Sequence, residues 1–253
     1  MERTIRFAAA ALLIGIAACG QAEEPPPLPT PQPAEAQTWF ICDAIDAPVL
    51  LVFERSGTTA RVAQYEKPSG AIVQRTEYTI GGQEGAAGSV YTTLMQNGAE
   101  AGAIRQLNPG VLETPAAAYT TPYTSVRLGQ REISCRWLPR TRLMGFTGRR
   151  TIVVSEDADG DLIYASYDFA SAAAAQPIDL SDNGRSTTFS LEARDGREEV
   201  RPGGARYTFQ ADNETTITVV TENGQGRVEV RRRRPEPTQT EDLIAYVEGD
   251  AAE

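Results

Sequence analysis

The chain has 253 residues, no histidine, three cysteines and a formal net charge of −10. Without imidazole there is no Ser-His-Asp or Cys-His catalysis, no His-ligated zinc and no histidine pH switch. The acidic balance argues against general nucleic-acid binding, which rests on neutralising phosphates.

Arg3 and Arg6 open the chain, followed by an apolar run from Phe7 to Ala18. About a dozen apolar residues suffice for the core of an export signal but fall short of the roughly 20 that span a bilayer. Ile16-Ala17-Ala18-Cys19 resembles the lipobox of bacterial lipoproteins. That resemblance implies that residues 1–18 are a signal peptide, that Cys19 carries lipid such as palmitate, and that the membrane is a partner through this anchor. Two or three acyl chains hold firmly where one holds only reversibly. Gly20, not aspartate, follows Cys19. By resemblance to Gram-negative sorting signals this favours the outer membrane, with the folded part facing the periplasm. Residues 19–37 are rich in Pro, Glu, Gln and Ala, and are expected to form a disordered, extended tether. Removal of Glu2, Arg3 and Arg6 with the signal takes the net charge from −10 to −11.

From Trp39 the pattern is of short β-branched and aromatic runs between turn residues. VLLVF (Val49–Phe53), ARVAQY (Ala60–Tyr65), AIVQRTEYTI (Ala71–Ile80), TSVRL (Thr124–Leu128) and REISCRW (Arg131–Trp137) fill residues 38–138, with GGQEGAAG (Gly81–Gly88) read as a break. RRTIVV (Arg149–Val154), LIYASYDF (Leu162–Phe169), STTFSLEA (Ser186–Ala193), ARYTFQA (Ala205–Ala211), TTITVVT (Thr215–Thr221) and RVEVRR (Arg227–Arg232) fill residues 139–236. Residues 237–253 are expected to hold a short helix and an acidic tail, because Thr238 and Glu241 make a capping-box pattern ahead of Leu243, Ile244 and Val247. The fold class is mainly β: antiparallel barrel or sandwich modules. GSVYTTLMQN (Gly88–Asn97) and GARYTFQADN (Gly204–Asn213) share Gly, Tyr, Thr and Asn in one register. The echo fits two modules in tandem, divided near Pro139–Gly148.

With Cys19 lipidated, Cys42 and Cys135 remain in an oxidising compartment. A disulfide between them is the economical reading, and two buried free thiols are the alternative. The single lysine, Lys67, stands among frequent arginines; we read it as codon bias without functional content.

SEDADGDL places Asp157, Asp159 and Asp161 with Gly160 in the spacing of a calcium loop, but Ser166 stands at the twelfth position where a bidentate glutamate belongs. A hairpin tip is the preferred reading, so no metal and no cofactor is expected. Arg231–Arg234 reads as a solvated strand end, or else as a docking point for an anionic surface such as lipid A phosphates or a cell-wall polymer.

Phe40-Ile41-Cys42-Asp43, the strand VLLVF, Gly88 to Tyr91 (Gly-x-x-Tyr), Gly98 to Ala101 (Gly-x-Glu-Ala) and a closing strand ending at Cys135 form a further set. Together they resemble the membrane-bound inhibitors of c-type lysozyme over about 100 of the 253 residues. The resemblance implies a small antiparallel β-barrel and a loop near Gly88, Ser89 and Tyr91 that blocks an enzyme cleft. Ala87 stands where the family has a serine, and Asn97 where it has a lysine; Ser89 would substitute for the missing serine. The functional expectation is a membrane-anchored, non-enzymatic lipoprotein that binds a periplasmic protein or cell-wall ligand or maintains the envelope. The lysozyme-inhibitor role is the alternative.

Overall fold

A computed structural model describes residues 37–108, 119–170, 190–233 and 237–249. They form two antiparallel sheets, and no helix occurs among the described residues. The first sheet runs β1 (Gln37–Asp43), β2 (Val49–Ser56), β3 (Thr59–Glu66), β4 (Ile72–Ala86) and β5 (Ser89–Gln96). It continues through β6 (Ala99–Leu107), β7 (Tyr123–Leu128) and β8 (Arg131–Ser134), each paired with its neighbour in chain order. A bridge from Ala44 to Cys135 joins the ends of this meander, with Arg136 N donating to Asp43 O at 2.8 Å. The Cys42–Cys135 disulfide staples the same point across a Cα separation of 4.7 Å. On the chain-entropy view a loop of that length stabilises by about 4–5 kcal/mol.

The second sheet begins with β9 (Thr141–Phe146), β10 (Arg150–Glu156), β11 (Leu162–Asp168), β12 (Leu191–Arg201) and β13 (Gly204–Gln210). It ends with β14 (Thr215–Glu222), β15 (Gln225–Arg232), β16 (Gln239–Leu243) and β17 (Ala245–Glu248). β16 pairs with β15 while β17 pairs with β9. One segment, kinked at Ile244, thus bonds both ends of the meander and brings it round on itself.

That segment is where the short helix was expected. Its capping-box residues lie instead in or beside a strand, because Gln239–Leu243 and Ala245–Glu248 complete the backbone bonding of two otherwise open edges. Leu243 also fills the space left by Gly145 and Gly226, where a Cβ would lie 3.0 and 2.7 Å from its methyls. Likewise β4 runs through Gly81–Ala86, read above as a break. A register shift between Ile80 and Gln83 absorbs the two glycines. β9 occupies the stretch read as the divide between modules.

Period-two alternation sorts the side chains into three cores. Leu51, Phe53, Phe40 and Cys42 point into the first sheet. Ile152, Val154, Tyr164 and Leu143 point into the second. The alternate residues Ile41, Leu50, Val52, Met144, Phe146, Val153 and Tyr167 meet in a core between the two. This explains why VLLVF and TIVV are continuously apolar: these strands are covered on both faces.

Candidate functional site

Strand alternation that turns Cys42 and Cys135 into the first barrel turns the next residues, Asp43 and Arg136, outward to the shared core. There Asp43 sits between two cations. Its Oδ1 lies 2.6 Å from Lys67 Nζ and its Oδ2 2.7 Å from Arg136 Nε. Asp43 and Lys67 are fully buried and Arg136 nearly so. Lys67 Nζ also donates to the carbonyl oxygen of Ala44. The aromatic faces of β11 and its end meet the two cations. The Arg136 guanidinium stacks 3.6 Å from the Tyr167 ring centroid, and the Lys67 ammonium lies 5.9 Å from that of Phe169. Burial pulls the Lys67 pKa below its ordinary value, with Asp43 opposing the shift. This sealed cluster ties the β1–β8 closure to the second sheet. The only lysine of the chain is therefore a buried structural ion, a role the codon-bias reading did not foresee.

A second polar cluster fixes β17. Tyr207 Oη donates to Glu248 Oε1 at 3.1 Å, and Thr221 Oγ1 lies 3.1 Å from Glu248 Oε2. Burial, reinforced by Glu248 and Glu198, raises the Tyr207 hydroxyl above its ordinary range. Nearby, Glu156 accepts from Tyr119 Oη at 2.8 Å and from Arg142 Nε at 2.6 Å.

An open cup lies on the first sheet between β3, β4 and the β7–β8 hairpin, with a volume of about 360 Å3. A groove of about 300 Å3 lies on the same sheet near Ile244, its rim carrying Arg61, Arg75, Glu54 and Glu77.

The residues singled out by sequence are dispersed. Ala87 and Gly88, both at positive φ, form the two-residue turn between β4 and β5. Ser89 is 3% exposed and its Oγ accepts from Arg105 Nε at 3.0 Å, while Tyr91 stands out at 37% exposure. Asp157, Asp159 and Asp161 occupy the β10–β11 hairpin tip. There Asp157 Oδ1 accepts from the amides of Asp159 and Asp161 at 2.9 and 3.0 Å, so the first acid caps the turn. No group of three His, Cys, Asp or Glu placed to hold a metal occurs among the described residues. Arg231, Arg232 and Arg233 are exposed at the end of β15. Cys19, the expected signal peptide and tether before Gln37, and Arg234 lie outside the described residues.

The cup and the ionic cluster were both missed from sequence. The available signal for the cluster was the polar residue following each cysteine. No protein-family model matches the chain, and no curated protein matches its sequence.

Proposed function

We propose that the chain is a membrane-anchored lipoprotein of the Gram-negative envelope, facing the periplasm from the outer membrane, with a non-enzymatic binding or envelope-maintenance role. The observation that carries this reading is the Cys42–Cys135 disulfide at the closure of the first barrel, a cross-link that persists in oxidising compartments. The Cys19 lipobox supplies the anchor, and the cup supplies a concave surface of the kind that binds ligands. In the alternative role of cleft-blocking inhibitor, contact would fall to Tyr91, because the Ser89 hydroxyl is buried and engaged.

Detergent phase partition of the full chain tests the anchor. The parent is expected in the detergent phase, and Cys19→Ser is expected in the aqueous phase or unprocessed. A Cys19→Ser variant processed and membrane-held like the parent overturns the assignment.

A further inference from the structure

The cup has a composition that selects among ligands. Alternation along β3, β4 and β8 turns Val62, Tyr78 and Ile133 down as a buried floor continuous with the first core. Gln64, Gln74, Thr76 and Arg131 stand two or four residues along on the same strand faces, where burial gives way to exposure, and make the polar walls. The volume of about 360 Å3 is at the small end of the roughly 300–1,000 Å3 of small-molecule pockets. It suits one ring, not a polymer or a peptide.

The wall groups are partly organised. Gln74 Nε2 donates to Thr76 Oγ1 at 3.0 Å. Gln64 and Gln74 each present donors and an acceptor on one planar group, the pattern that matches neighbouring hydroxyls. No acid among the described residues lines the cup. Glu132, beside Arg131 in sequence, turns away and accepts from Ser125 Oγ at 3.1 Å. Arg131 joins none of the ion pairs among the described residues. In a chain of net charge −10, a guanidinium without a carboxylate partner, at the rim of an acid-free cup, is a fork open to an anion. The floor offers an aromatic ring and aliphatic side chains to a C–H face.

We propose that this cup binds a small sugar acid, a single-ring polyhydroxylated carboxylate. Arg131 takes the carboxylate by two parallel N–H···O bonds, Gln64 and Gln74 take ring hydroxyls, and Tyr78 with Val62 and Ile133 underlies the ring. This inference rests on the reading of the protein as a binding lipoprotein.

Isothermal titration calorimetry on the full chain in detergent micelles, with D-glucuronate, D-glucose and acetate as probes, tests it. Glucuronate is expected to bind saturably and at least tenfold more tightly than glucose or acetate. Arg131→Gln is expected to bring glucuronate down to the glucose level, and Gln64→Leu with Gln74→Leu to weaken both sugars together. These side chains lie on the cup wall, so the variants should melt like the parent. No saturable glucuronate heat, equal affinity for acetate, or an Arg131→Gln variant indistinguishable from the parent would each overturn the proposal. Failure of the cup with detergent partition intact removes this inference alone. Failure of detergent partition removes the anchor reading and leaves the calorimetric result to stand.

Discussion

At the scale of single residues, Asp43 has the greatest consequence. Its carboxylate bridges Lys67 and Arg136 in a buried site. A buried pair adds little net stability over an apolar isostere, but removing one partner strands the other's charge at a cost of about 3–5 kcal/mol. Asp43→Asn leaves two buried cations facing a neutral amide, so its loss should fall in that range. Lys67→Met leaves the Asp43–Arg136 pair intact and removes an ammonium whose pKa is lowered chiefly by burial. Its cost should be on the order of 1 kcal/mol. Urea unfolding midpoints check the order, and a Lys67→Met variant less stable than Asp43→Asn would refute it.

At the scale of elements, most strands, the β10–β11 hairpin tip and the cysteine pairing were legible, because alternation and turn chemistry are local signals; β6, outside every predicted run, and β9, read as the divide, were not. The closure was not. Thr238 and Glu241 carry a genuine helix-start pattern, yet the segment is strand because β15 and β9 present edges far away in sequence. Lys67 was illegible for the same reason: its carboxylate lies 24 positions back, and nothing near it in sequence announces burial. The cup also depends on neighbours, since Gln64, Gln74 and Arg131 converge only once β3, β4 and β8 are placed. The internal echo has a structural counterpart: its two stretches form β5 and β13, each the fifth strand of its meander. In both sheets the fourth strand pairs with the third along its first part and with the fifth along its last. The glycine that opens β13 is under tight constraint, since a Cβ on Gly204 would sit 2.1 Å from Thr221 O. Gly204→Ala should therefore push β13 from β14 and cost about 1–3 kcal/mol. Gly82, exposed with nothing within 4 Å of its Cβ position, should accept alanine within about 0.5 kcal/mol. Thermal melts of the two variants compare them, and equal losses would show that the close approach relaxes freely.

At the scale of the whole molecule, the core between the sheets decides how the chain unfolds. Strands β1, β2, β9, β10 and β11 each contribute to that core and to one barrel interior. Neither sheet can be lost without exposing the face of the other, so one cooperative transition is expected. The tyrosines give a pH handle on it. Burial raises Tyr65, Tyr78 and Tyr123 of the first sheet, and Tyr167 and Tyr164 of the second, the last to about 12. Unfolded tyrosine releases its proton near pH 10, whereas the folded chain retains these protons to higher pH. Their contribution is therefore complete below about pH 10 and is lost as pH rises from there toward 12. Tryptophan fluorescence, which reports Trp39 and Trp137, and far-ultraviolet circular dichroism, which reports both sheets, should follow one alkaline transition in that window. Two separated transitions, or stability flat across it, would contradict this account.

The position of the staple also bears on mechanical load. A tether pulled from an anchored end would enter the fold at Gln37, where β1 pairs with β2. Peeling could free only the residues up to Cys42, an extension of roughly 20 Å, before tension reached the sulfur bridge. From there the force would cross to Cys135, and the 92 residues enclosed by the bridge, the cup among them, would carry none of it along their backbone.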